Sequence, residues 1–298
     1  MRSPLVLVGP TASGKSAVAL EIARKRAPDV ELVSIDSMQV YRGMDIGTAK
    51  PTTDERAEVR HHLLDLVDPT EDFSVADHQR AVTAALADIA ERGMQAILVG
   101  GTGLYVRAVV DRLTIPGRWP DVKRQLEAES DTEALHRRLS ELDPAAATRM
   151  ESSNRRRIVR ALEVTIGSGA PFSTFGPGLE QYPDDVPFHL AGIKVEREVL
   201  RRRIEERFTA MLDAGLVDEV RSLPTPLSRT AGQALGYREL LRHVVDGAPL
   251  GECVDEAVRR TRQFARRQEA WFRRDPRIRW YEGEIGEVAE RMLGDWEH

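Results

Sequence analysis

A single cysteine, Cys253, stands in 298 residues. That scarcity excludes an internal disulfide framework and any cysteine-rich zinc site, and leaves a reduced structural thiol as the expected state. Long apolar runs are missing too: no stretch approaches the roughly 20 residues of a membrane-spanning helix. Met1-Arg2-Ser3-Pro4 leads straight into an apolar strand pattern, leaving no room for a signal peptide, so the expected location is the cytoplasm. Internal repeats and low-complexity tracts are absent. Lysine is sparse, at 5 residues against 38 arginines. The net charge of −5 gives no global signature of a nucleic-acid binder. What remains is the composition of a soluble globular chain, 41% hydrophobic and 31% charged, long enough for one large domain or two smaller ones.

The arginines are not evenly spread. Nine fall between Arg259 and Arg279, against the two acids Glu269 and Asp275. Others cluster at Arg155-Arg156-Arg157 with Arg160, and at Arg201-Arg202-Arg203. Their planar forks suit phosphate and base recognition, although solvated helix faces account for the same clusters.

The most informative segment is Gly9-Pro10-Thr11-Ala12-Ser13-Gly14-Lys15-Ser16, a complete GxxxxGK[ST] phosphate-binding loop. It follows the buried-strand pattern Leu5–Val8 and precedes a helical pattern over Ser16–Arg26. Backbone N–H groups of the loop and the helix N-terminus point at one place and build a site for linked phosphates. Lys15 supplies a point charge, and the Ser16 hydroxyl is placed to hold Mg²⁺.

Two further apolar runs, Glu31–Ile35 and Ala96–Val99, end at Asp36 and at Gly100-Gly101-Thr102-Gly103. Helical patterns lie between the strands, including Val75–Arg92. This alternation predicts an α/β fold with a parallel sheet and helices on both faces. In such folds ligands bind beyond the carboxyl ends of the strands, so the loop, Asp36 and Thr102 are expected to share one crevice. From 112 to 187 the pattern is helical, with Leu126–Leu142 and Asn154–Ile166 as helices and breakers at Gly167–Pro171 and Phe175–Gly178. This predicts a helical insertion domain between core segments 1–111 and 188–298, with the core resuming in a strand over Phe188–Ile193. The tail reads as a helix over Val254–Arg273 and a last strand over Ile278–Tyr281.

Asp36 is placed to accept a substrate proton or help hold Mg²⁺; as a helix N-cap the same residue type is equally at home. The third strand ends without the carboxylate that a P-loop hydrolase uses to hold Mg²⁺, which points away from a motor ATPase. Its glycines suit close approach of backbone to a ligand. The adjacent His61 and His62 face opposite ways on an extended segment, poor geometry for one metal ion, and a structural or substrate-contact role is expected. The stretch Arg262–Arg274 interleaves arginine with Phe264, Trp271 and Phe272. That pattern fits a polyanion lying across a surface and equally an amphipathic helix.

These blocks resemble one family, the tRNA dimethylallyltransferases or isopentenyl-adenosine tRNA transferases. The likeness rests on Gly9–Ser16, on Asp36-Ser37-Met38-Gln39-Val40-Tyr41 running on to Pro51, and on His61-His62 through Pro69. It continues in Phe73–Asp77, Gly100–Tyr105, Gly236-Tyr237-Arg238-Glu239 and Arg262–Arg274, in family order over nearly the whole chain. It implies a core similar to P-loop kinases with a helical insertion that grips a tRNA anticodon stem-loop. The implied reaction moves a dimethylallyl group from dimethylallyl diphosphate to the exocyclic N6 amine of the adenosine 3′ of the anticodon, in tRNAs reading U-starting codons. No membrane and no obligate protein partner are implied.

By this resemblance Asp36 is the base and Thr102 hydrogen-bonds near the amine. Gly9–Ser16 and Arg238 hold the diphosphate, with Mg²⁺ on Ser16. Asp36, Ser37, Met38, Gln39 and Thr102 meet the target base or its neighbours. Lys123, Arg124, Arg156, Arg157 and Arg160 hold the RNA backbone. Some relatives carry an arginine where this chain has Gln233, so Arg229 or Arg238 is expected to replace it. The zinc finger that eukaryotic relatives add has no matching Cys/His spacing here. A P-loop kinase for a nucleotide or small metabolite, or an RNA-binding module that uses nucleotide as a switch, is compatible with the phosphate loop alone.

Overall fold

The computed structural model describes residues 3–297 except 177, 178 and 180; the expected breaker at Phe175–Gly178 therefore lies partly outside the described residues. The chain divides into two compact units, Met1–Asp111 with Asp184–His298, and Arg112–Pro183.

The first unit opens with β1 (Leu5–Val8), α1 (Lys15–Lys25), β2 (Val30–Ser34), α2 (Thr53–Glu58), β3 (His61–His62), α3 (Val75–Glu91), β4 (Gln95–Gly100) and α4 (Gly103–Val110). The second unit is helical: α5 (Pro120–Ala128), α6 (Thr132–Leu142), α7 (Pro144–Thr148) and α8 (Arg155–Ser168). The first unit then resumes with β5 (His189–Ile193), α9 (Arg197–Asp213), α10 (Leu216–Ser222), α11 (Tyr237–Asp246), α12 (Leu250–Phe272), β6 (Arg279–Tyr281) and α13 (Ile285–Glu297).

The six strands form one sheet in the order β3-β2-β4-β1-β5-β6, every pair parallel. Alternation along β1 explains why helices cover both faces. Leu5 and Leu7 point into a core with α1 and α13, while Val6 and Val8 point into one with α3, α4 and Phe272. The strand order has a consequence for the site. β4 lies between β2 and β1, so the segments that follow β2, β4 and β1 sit side by side at one sheet edge.

A third core joins the loop after β2 to the C-terminal helices. Val40, Tyr41 and Met44 pack with Phe208, Leu216, Tyr237 and Cys253, all buried. The lone thiol is thus a core residue.

The second unit has its own core of Leu126, Leu135, Leu139, Ile158 and Leu162. The continuous helix expected over Leu126–Leu142 is two helices. The break falls at Glu129–Asp131, because the Asp131 side chain accepts N–H bonds from Glu133 and Ala134 and starts a new helix. No described helix is long and apolar enough to cross a membrane.

Candidate active site

The phosphate loop is built by two left-handed residues. Ala12 has φ +62° and Gly14, at the N-cap of α1, has φ +92°. The Gly14 conformation favours a residue without Cβ, and alternation of this kind turns successive N–H groups to one side. The Ser13 N–H closes the turn onto the Pro10 carbonyl at 3.2 Å.

Gln268 of α12 straps this loop to the turn after β4. Its Oε1 accepts the Thr11 N–H at 2.9 Å, and its Nε2 donates to the Gly101 carbonyl at 2.7 Å. A Cβ on Gly101 would strike the Gln268 amide, which is why that turn carries glycine.

Three charged side chains converge here. Lys15 leaves the loop half-buried; burial draws its ammonium down to about 8, with the Asp36 carboxylate opposing and Arg207 adding to the fall. Arg207, from α9, brings its Nη1 to 3.5 Å from Thr11 Oγ1. Burial lowers its affinity for a proton as well, again opposed by Asp36. The mouth of the loop therefore holds two cations that are short of solvent and a carboxylate that partly offsets them. An anionic ligand would restore what both cations have lost.

Asp36 does not cap a helix. Its Oδ1 accepts the Met38 N–H at 2.8 Å, and its own N–H donates to Ser34 Oγ at 3.2 Å. The segment after β2 is thus a side-chain-closed turn, with the second carboxylate oxygen free of hydrogen bonds among the described residues. On the neighbouring turn, Thr102 is the N-cap of α4 yet spends no side-chain bond on capping. Its hydroxyl lies 3.4 Å from that of Ser37.

Gln39 is occupied internally: Oε1 accepts from Ser34 Oγ at 2.7 Å, and Nε2 donates to the carbonyls of Thr48 and Ala49 at 3.2 and 3.1 Å. Met38 is half-buried against the third core.

Arg238 stands exposed on the first turn of α11, and among the described residues no hydrogen bond or ion pair joins it or Arg229 to the loop. Arg207 is an arginine that does reach the loop, at Thr11. Its signal was in the sequence. Leu200, Ile204, Phe208 and Met211 form the buried stripe of α9, and a 3–4 spacing from Leu200 and Ile204 to Met211 passes through position 207. A charge on the apolar face of a helix marks a partner outside that helix.

In the second unit the basic residues differ in how free they are. Arg156 and Arg157 are exposed on the first turn of α8 with no acidic partner among the described residues. Arg160 is turned inward, donating to the Pro116 carbonyl at 2.9 Å and pairing with buried Glu163 at 3.0 Å. Buried Glu163 demands a counter-charge, and Arg160 sits one turn away to supply it. Lys123 pairs with Glu127 at 3.3 Å and Arg124 with Asp121; such surface pairs are weak and readily exchanged.

His62 donates or accepts through Nε2 with Glu31 at 2.6 Å, and His61 Nδ1 lies 2.7 Å from the Val59 carbonyl. Both contacts are internal to the fold. Glu31 is held ionised chiefly by its bonds to Arg92.

For Mg²⁺, Ser16 offers an exposed hydroxyl with no side-chain hydrogen bond among the described residues. No described cluster of three or more histidine, cysteine or acidic side chains stands ready for a metal. A lone hydroxyl beside a phosphate cradle suits an ion that takes most of its oxygen ligands from phosphate and water. Ser16 fits Mg²⁺ in that manner.

A parallel α/β core with a strapped phosphate loop and a facing carboxylate defines a phosphate-binding enzyme of the P-loop class. Comparison with known proteins narrows this. The sequence model of IPP transferase matches residues 39–275, and the chain belongs to that family of transferases. It is 46% identical to the tRNA dimethylallyltransferase of Geobacter metallireducens over 98% of this chain and 97% of that one. With the tRNA dimethylallyltransferase of Salinispora tropica it shares 47% identity, over 96% and 90% of the two chains. Among solved structures it is similar to the full-length tRNA isopentenylpyrophosphate transferase of Bacillus halodurans, with TM-score 0.70, 37% identity, and 100% and 97% of the chains covered.

Proposed function

We propose that this protein transfers the dimethylallyl group of dimethylallyl diphosphate to the exocyclic N6 amine of the adenosine 3′ of the anticodon, in tRNAs that read U-starting codons. The observation that carries this reading is the meeting of Lys15, Arg207 and Asp36 at the loop mouth: an anion receptor and a proton acceptor side by side.

The C–O bond between the allylic carbon and the diphosphate breaks, and the diphosphate departs with the electron pair. Loop N–H groups, Lys15 and Arg207 neutralise the charge that develops there. Magnesium bound at Ser16 would add Lewis-acid neutralisation of the same oxygens. The amine of adenine is a poor nucleophile, because its lone pair is delocalised into the ring. As the new C–N bond forms, the amine proton passes to Asp36, whose second oxygen is open for it. Thr102 and Ser37 offer hydroxyls to orient the amine. The base must leave the stacked loop to reach the crevice. The second unit holds the RNA backbone through Arg156 and Arg157. The setting is the cytoplasm, where tRNA and allylic diphosphate are both available.

The test is mass spectrometry of nucleosides from tRNA incubated with the protein, Mg²⁺ and dimethylallyl diphosphate. The expected product is N6-dimethylallyladenosine, lost in Asp36→Asn while that variant still binds pyrophosphate and tRNA. ATP-dependent phosphorylation of a small acceptor without RNA would overturn this reading in favour of a kinase.

A further inference from the structure

Away from the phosphate loop, one carboxylate is bonded in an unusual way. Glu219, on α10, accepts the backbone N–H groups of three successive residues: Asp45 at 2.9 Å, Ile46 at 2.8 Å and Gly47 at 3.2 Å. It also accepts the Tyr237 hydroxyl, and the Tyr237 oxygen in turn accepts the Gly47 N–H at 3.1 Å. Tyr237 is fully buried, and its ring fills the space a Cβ on Gly47 would need. Charge-assisted bonds from three consecutive amides fix a backbone segment as few side-chain contacts can.

The same loop is held from its inner side. The Lys50 ammonium, 1% exposed, donates to the carboxylates of Asp45 and Asp65, each at 2.6 Å, and to the Tyr41 carbonyl. All three of its protons are thereby used. The carbonyls this frame leaves pointing inward, those of Thr48 and Ala49, receive the Gln39 amide. Gln39 passes the constraint on through Ser34 Oγ to the Asp36 N–H. The turn that aims the Asp36 carboxylate is therefore anchored at its first residue by Ser34, and just past Met38 by the loop.

We propose that Glu219 is a positioning residue for Asp36, acting through the loop 45–49 and the Gln39 amide. It touches neither the phosphate loop nor Asp36. The inference rests on the reading of Asp36 as the base. Loosening the 45–49 loop frees Gln39 and lets the carboxylate swing out of reach of the incoming amine, while the diphosphate site, held by other elements, stays intact.

The test is a double-mutant cycle in the full-length protein. Glu219→Ala and Gln39→Met are each expected to lower kcat by about 10- to 100-fold, with KM for dimethylallyl diphosphate unchanged. Glu219→Ala, which leaves three N–H groups and the Tyr237 hydroxyl without their acceptor, should also melt at a lower temperature while remaining folded under assay conditions. Glu219→Gln, which keeps one acceptor oxygen, should fall between Glu219→Ala and wild type. The combined variant should be no worse than the poorer single one, because both changes break one relay. If Glu219→Ala does not fold, Tyr237→Phe removes only the hydroxyl from the same clamp and takes its place in the cycle. A folded Glu219→Ala, or Tyr237→Phe in its stead, with wild-type kcat overturns the inference, as do losses that multiply in the combined variant. Asp36→Asn that still transfers the prenyl group overturns the base assignment itself. An inert Asp36→Asn beside a fully active Glu219→Ala overturns only the positioning role.

Discussion

Arg207 and Thr11 are 196 positions apart in the chain, and their side chains meet at the phosphate loop with Nη1 3.5 Å from Oγ1. The contact draws a helix of the C-terminal half onto the first loop of the protein. It also sets a guanidinium, short of solvent, at the mouth of the loop, where the proposed reaction would release diphosphate.

Substitution of Arg207 tests that placement. Arg207→Met is expected to lower kcat by about 100- to 1,000-fold, the usual cost of removing one donor aimed at developing charge. Arg207→Lys should recover only part of it, since a point charge does not reproduce the fork. Single-turnover kinetics with saturating tRNA measure this. A rise in KM alone, with kcat preserved, would place Arg207 in ground-state binding instead.

The Lys15 ammonium gives a pH signature. Burial draws it to about 8 from the 10.5 of a free lysine. Pyrophosphate favours its charged form, so affinity should fall as pH rises above about 8, and binding in that range should take up a proton. Titration calorimetry in buffers of different ionisation heat reads the uptake directly. Lys15→Met should bind weakly with little dependence on pH. Stability moves the other way. Between about 8 and the unfolded value the unfolded chain binds more protons than the folded one, so the cost of burying this ammonium is relieved as pH rises through that window.

The two exposed arginines of α8 bear on RNA affinity. Arg157→Ala is expected to weaken tRNA binding and reduce the slope of log K against log salt by about 1, the signature of one lost phosphate contact. Arg156→Ala should behave alike. Arg160→Ala should leave the slope unchanged and lower the melting temperature, because it strips buried Glu163 of its partner. Equal slopes in wild type and Arg157→Ala would remove that residue from the interface.

The sequence spoke clearly wherever the determinants are local. Gly9–Ser16, its flanking strand and its helix are contiguous, and the strand-end position of Asp36 follows from the same alternation of strands and helices. Gln268 was hidden for the opposite reason: it reaches the loop from another part of the chain, and no spacing rule ties Thr11 to a residue 257 positions on. Within the insertion, apolar residues on both sides of Asp131 masked a helix start that only its capping bonds reveal. β3, with two residues, is too short to carry any period. In the segment after Asp36 the Gln39 amide bonds to the carbonyls of the following loop, a use no residue type announces.

The Gln268 strap has a bearing on how the protein comes into being. The phosphate loop leaves the ribosome well before the helix whose side chain accepts its Thr11 amide and grips the Gly101 carbonyl. A nascent chain carrying the entire sheet edge from β1 to β4 still lacks that fastening. Completion of the phosphate loop therefore waits for α12, and a chain halted before that helix would hold an unfinished loop.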